Sequence, residues 1–186
     1  AVFEAFSGPC QECLASPQEY ASLGLENMEF GQLLCETMVL WGKNHVKLLE
    51  GSEHLSIFLK MMMAFLQHSN ANVALLTIDF WMFLVRESLL GDTSDPVEKR
   101  RLLRIPDGFV GALLDVIVSK MQKPVLDTLD DYPAEYYESV KDFHEKTAAL
   151  RQRLVDISRS LAKSAPEEVF RACLGNLEKM FVHIQQ

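Results

Sequence analysis

LSIFLKMMMAFLQHSNANVALLTIDFWMFLVRESLL, residues 55–90, decides the fold. Two long apolar runs meet there across one short polar turn. In the second run, Val73 to Val85, only Thr77 and Asp79 are polar. No single amphipathic stripe can be drawn on it, so a helix at this place must be covered nearly all round. A strand is disfavoured because the run exceeds ordinary strand length, and Ser69, Asn70 and Asn72 supply an N-cap for a following helix. A membrane span is disfavoured too: the run is shorter than the roughly 18 apolar residues required and carries Asp79 mid-way. The expectation is a central αα-hairpin buried on both sides, with Phe58, Phe65, Phe80, Trp81 and Leu84 in its core. The Met61-Met62-Met63 triplet reads as pliable core filler.

Upstream, Phe30, Leu33, Leu34, Thr37, Met38, Leu40, Trp41, Val46, Leu48 and Leu49 recur near the helical period. They predict a helix from about 26 to 49, ended by Gly51, with Ser52 capping the next. Val2, Phe3 and Phe6 suggest a short helix before Gly8-Pro9, and Ser16-Pro17-Gln18-Glu19 resembles a capping box.

Downstream, the connection GDTSDPVEKRRLLRIPD follows the hairpin, and its short helix from Ser94-Asp95-Pro96 carries the basic cluster Lys99, Arg100, Arg101 and Arg104. Asp107 is the expected cap of a helix from Phe109 to Met121, whose buried face is Val110, Leu113, Leu114, Ile117, Val118 and Met121. An acidic loop with Asp127, Asp130 and Asp131 leads into the longest predicted helix, 134–163. There Tyr136, Val140, Phe143, Thr147, Leu150, Leu154, Ile157 and Leu161 alternate steps of four and three, a narrow seam for packing along neighbours. Ser164-Ala165-Pro166-Glu167 reads as a capping box opening a last helix with Val169, Phe170, Cys173, Leu174, Leu177, Met180 and Phe181.

Paired in order, these segments start a first helix near 2, 54, 108 and 166 and a second near 26, 72 and 134. The starts repeat at about 52, 54 and 58 residues, longer than the ~40–47 of HEAT and armadillo repeats, with the excess in the loops. The fold class expected is all-α, a HEAT-like α-solenoid of three antiparallel pairs and a half-pair, 1–50, 52–91, 107–163 and 166–186. The chain starts at Ala1 and stops in mid-pattern at Gln186, which suggests a segment of a longer solenoid.

Composition narrows the function. Apolar residues make up 48% of the 186, enough for a sizeable core, and neither a signal sequence nor a membrane span is visible, so an intracellular compartment is expected. The net charge of −8 repels phosphate backbones in bulk, which argues against direct nucleic-acid contact by this segment. Cys10 and Cys13 have zinc or redox spacing but lack a second ligand pair, Asp127, Asp130 and Asp131 lack an opposing acidic motif, and Cys35 and Cys173 read as buried thiols. No metal or other cofactor is expected. The five histidines, His45, His54, His68, His144 and His183, stand singly, with His68 in a turn, and no nucleophile or carboxylate pair lies at useful spacing, so the chain does not read as an enzyme.

The order FLKMMMAFLQHSN, turn, IDFWMFLVRESLL, with Phe65, His68, Trp81, Leu84 and Arg86, resembles the exportin branch of the importin-β superfamily. The similarity extends to Leu33-Leu34-Cys35 and Trp41-Gly42 upstream, and to the acidic loop, the long helix and Pro166 downstream. The resemblance implies a nuclear export receptor that shuttles between nucleus and cytoplasm, binding Ran-GTP and cargo together and releasing both after hydrolysis. In the part of that branch most like this chain, the cargo is double-stranded RNA with a short overhang. A generic HEAT-type protein-interaction scaffold has the same helix pattern and is the competing reading. Because solenoids bind through loops and exposed helix faces, the candidate partner surfaces are Asp127, Asp130, Asp131, Glu135 and Glu138 on one side and Lys99, Arg100, Arg101 and Arg104 on the other.

Overall fold

The structure is a computed structural model in which residues 25–88, 104–122 and 136–184 are described. Every regular element among them is helical: α1 Leu25–His45 with a 3-10 turn Val46–Leu49, α2 Glu53–Gln67, α3 Ala71–Ser88, α4 Phe109–Met121, α5 Val140–Ser164 and α6 Pro166–Ile184. The expected short helix and turn in the first 24 residues and the basic helix near 94 lie outside the described residues.

The helices stack in two layers. α1, α3 and α5 follow one another in the first, α2, α4 and α6 in the second, and α2–α3 and α4–α5 pair across them. This is the packing of an α-solenoid: each amphipathic pair completes its core only by stacking on the next. At the centre stands the α2–α3 hairpin. On α3, Val73, Ala74, Thr77, Ile78, Phe80, Trp81, Leu84 and Val85 are all buried. Within that run Asp79 alone is exposed, 4.0 Å from Lys43 on α1. The exposed pair holds little energy; the apolar faces hold the layer together.

The turn between α2 and α3 is built as its residue types demand. His68 closes α2 with its N–H on the Phe65 carbonyl (3.2 Å). Its Nδ1 accepts from the Asn70 N–H (3.1 Å), which requires the neutral tautomer with Nδ1 unprotonated. The Asn70 side chain then accepts from the Asn72 N–H (2.8 Å) as the N-cap of α3.

Other boundaries depart from the sequence reading. Ser52 stands at the N-cap of α2 in extended backbone, but its hydroxyl donates to the Leu49 carbonyl (2.7 Å) instead of accepting from the helix. The cap of α4 is Gly108, not Asp107: its φ of 75° is a left-handed turn that a side chain adopts only with strain. α5 begins at Val140, six residues later than expected, where the Ser139 hydroxyl accepts from the Asp142 N–H (3.2 Å). Ser164 does not cap α6. It remains the last residue of α5, its hydroxyl spent on the Ser160 carbonyl (2.9 Å).

The terminal helices of the described array differ most from expectation. On α1, Leu34, Cys35 and Met38 are buried, while Phe30, Leu33 and Leu40 form an outward stripe. On α6, Val169 and Ala172 pack inward and Asn176 donates to Asp115 of α4 (2.8 Å). Phe170, Leu174 and Leu177, expected inside, are exposed, and so is Cys173, against the buried thiol that its apolar neighbours suggest. Met121, placed by spacing on the buried face of α4, is exposed at the helix end.

Candidate functional site

Of the charged residues singled out in the sequence, Lys99, Arg100, Arg101, Asp127, Asp130, Asp131 and Glu135 lie outside the described residues. Arg104 is exposed, and its N–H donates to the Glu50 carboxylate (3.0 Å), tying the approach to α4 onto the turn before α2. Glu138 is exposed in the turn leading into α5. The two are not brought to one site by any contact among the described residues. Phe58, Phe65, Phe80, Trp81 and Leu84 are all in the core, none more than 2% exposed.

A second basic surface escaped the sequence reading. The exposed side of α5 carries Lys141, Lys146, Arg153, Arg159 and Lys163. Lys141 pairs with Glu145 (3.7 Å) and Arg159 with Asp156 (3.5 Å). The apolar seam is easy to see in this helix and draws attention from the opposite face, which the same periodicity assigns to solvent.

A polar cleft of about 470 Å³ lies where three helix ends converge. Gln67 and Ser69 from the α2–α3 turn, Ser119, Lys120 and Gln122 from the end of α4, and Tyr137 line its polar side, with Phe143 and Leu150 of α5 beneath. Lys120 is half-buried and its ammonium donates to the His68 carbonyl, a free acceptor at the C-terminal end of α2. The Tyr137 hydroxyl accepts from the Ala71 N–H (2.7 Å) at the start of α3, so one aromatic from the α4–α5 connection fixes the neighbouring pair. Arg151 reaches over the Gln122 carbonyl (3.5 Å). Lys120 joins none of the ion pairs found among the described residues.

A cation half removed from water with no carboxylate partner among the described residues is disfavoured in its charged form. Burial pushes Lys120 down to about 8. Burial, and then the Lys120 charge, push His68 below its ordinary 6.5. Both groups have folded values below their unfolded ones. For each, the unfolded chain holds a proton that the native state has released, so stability rises with pH across that window. For Lys120 the rise runs from about 8 to about 10.5; for His68 stability falls as pH drops through 6.5. Denaturant melts of a Lys120→Met variant should therefore lack part of the wild-type gain in stability between about pH 8 and 10.5. Parallel curves for the two proteins across that range would show that the amine is well solvated.

The sequence held one signal for this cleft. Lys120 follows Val116 and Ile117 by four and three residues, so the helical period puts it on the buried side of α4. No group of three or more His, Cys, Asp or Glu that would hold a metal ion occurs among the described residues. No described helix is long and apolar enough to cross a membrane.

Against models of known families, residues 26–183 match that of the Exportin-5 family. Comparison with curated proteins and with solved structures gives no match. The matched span runs from α1 to the last turn of α6, so it takes in both helix layers, the hairpin core and the cleft.

Proposed function

We propose that this chain, which belongs to the Exportin-5 family, is a segment of a nuclear export receptor that contributes HEAT pairs to Ran-GTP-dependent transport of structured RNA or protein cargo. The observation that carries the reading is the family match over 26–183, which spans the whole two-layer stack and not one helix pair. A general scaffold has the same layers; the family match is what favours the receptor. On this reading the receptor moves between nucleus and cytoplasm, has no catalytic step, and takes up Ran-GTP and cargo together. Capture of the full-length parent protein on immobilised Ran tests it. Binding to Ran locked with GTP and not to Ran with GDP is expected; equal capture in both states returns the protein to the scaffold class.

The partner surfaces follow from charge. The acidic set Asp127, Asp130, Asp131, Glu135 and Glu138 is suited to a basic protein surface, on Ran or on a protein cargo, and the basic set Lys99, Arg100, Arg101 and Arg104 to RNA phosphates. We favour the acidic set as the working contact, because the net charge of −8 already disfavours phosphate nearby. In the full-length protein, reversing the acidic residues should slow association with Ran-GTP or protein cargo at low salt and leave RNA binding little changed. Reversing the basic set should weaken RNA and flatten the salt dependence by about one counterion per lost phosphate contact. Unchanged rates for the acidic reversals, with RNA binding abolished by the basic ones, reverse the assignment.

A further inference from the structure

We propose that Lys120 is a site of covalent acylation by small acyl thioesters, its amine reacting inside the cleft between the α2–α3 turn and the facing ends of α4 and α5. Three features of the cleft lead there. Its volume of about 470 Å³ accommodates an acetyl-sized group beside the amine, against Tyr137, Phe143 and Leu150. The titratable groups beside the amine are His68, whose carbonyl takes its hydrogen bond, and Tyr137 from the α4–α5 connection, while Arg151 of α5 donates to the carbonyl of the lining residue Gln122. None is a carboxylate, so no described residue holds the ammonium in its charged form. The third feature is the His68 carbonyl, which needs only one N–H donor.

In the reaction the lone pair of the neutral amine adds to the thioester carbonyl carbon and the C–S bond breaks. The sulfur leaves with the bonding pair and takes up the proton released by nitrogen. An amide and a free thiol result, with no change of oxidation state. The amide keeps one N–H for the His68 carbonyl, so the hydrogen bond that closes α2 survives while the desolvated charge is removed. Burial lowers Lys120 to about 8, which leaves a far larger share of reactive amine at neutral pH than an ordinary lysine offers. Loss of the charge also removes one of the two influences that hold His68 down. Acylation at α4 is thereby communicated to the turn between α2 and α3.

The test is a timed reaction of the whole chain with S-acetyl-N-acetylcysteamine at about pH 7.5, followed by peptide mass spectrometry of every lysine. The free-amine advantage of a lysine at about 8 over an ordinary one is roughly two orders of magnitude at that pH, of which lower basicity and partial burial take back a part. Lys120 is expected to acetylate about tenfold faster than the exposed Lys146 and Lys163, and to lose that lead near pH 10.5, where ordinary lysines also deprotonate. After acetylation, the NMR titration of His68 should move upward; a Lys120→Arg variant treated in the same way should show no movement. The proposal is overturned if Lys120 reacts no faster than the exposed lysines at pH 7.5, or if its acetylation leaves the His68 titration in place.

Discussion

Trp81→Ala is expected to lower the unfolding free energy by about 3–5 kcal/mol, the usual range for truncating a fully buried aromatic. Trp81 has no exposed surface and lies between Phe80 (ring centroids 5.1 Å apart) and Phe109 (6.0 Å), so it joins α3 to the start of α4. Its indole N–H donates to the Thr77 hydroxyl (3.1 Å), which in turn donates to the Ala74 carbonyl (2.8 Å). Removing the ring opens a cavity at the junction of two pairs, where the helices on either side cannot close without breaking other contacts. It also strips the buried Thr77 oxygen of its donor. Trp81→Phe keeps most of the packing and should cost clearly less than the alanine. Denaturant melts measure both, and a loss under about 1 kcal/mol for Trp81→Ala is irreconcilable with the packing described.

The second large effect comes from adding atoms. Gly42 lies where α1 crosses the hairpin, and a β-carbon there would stand 2.8 Å from Phe58 Cζ and 2.8 Å from Phe80 Cε2. Both rings are fully buried and pack edge to face with centroids 5.5 Å apart, so neither has room to swing away. The helix itself must move. Gly42→Val should cost about 3 kcal/mol, the upper end of the usual range for overpacking. Gly31, on the same helix, has open space where a β-carbon would stand, with nothing within 4 Å, so Gly31→Ala should stabilise by roughly 0.5–1 kcal/mol through helix propensity alone. The opposite signs at two glycines of one helix separate close packing from propensity. If Gly42→Val melts like the wild type, α1 does not approach the hairpin as closely as these distances require.

The hairpin and the long helix were legible because their evidence is local. An apolar run as unbroken as Val73 to Val85 has no solvent face to offer, so burial follows wherever the neighbours lie. The Phe143 to Leu161 seam likewise names its inner side through steps of four and three, and Phe143, Leu150, Leu154, Ile157 and Leu161 are buried as that spacing demands. A cap among Ser69, Asn70 and Asn72 was readable because such side chains answer an N–H close by in the chain, and Asn70 is the one that does so, two residues away.

Where two local solutions compete, only the packed structure chooses. Asp107 and Gly108 both suit the start of α4, and the left-handed bend needed to bring the chain in from Arg104 selects the glycine. Ser164 has an equally short path to the helix behind it, and continuing α5 uses its hydroxyl there. α1 and α6 each carry apolar residues on two sides, and periodicity cannot say which side a neighbour will cover. The stack answers by placing α3 on the Leu34–Met38 side of α1 and α4 on the Ala172 side of α6, leaving Phe30, Leu33, Phe170 and Leu174 outside. The Lys120 cleft is of the same kind. Residue spacing puts that lysine on the inner side of α4, but its separation from water and its carbonyl partner come from the meeting of the α2–α3 turn, the end of α4 and the start of α5, which are far apart along the chain. Helix type throughout, and the inward faces of α3 and α5, were therefore set by residue order alone, through side-chain periodicity. The boundaries at Gly108 and Ser164, the uncovered faces and the cleft were set by which helices stack on which, because burial of a polar or terminal group depends on neighbours that no local stretch of sequence contains.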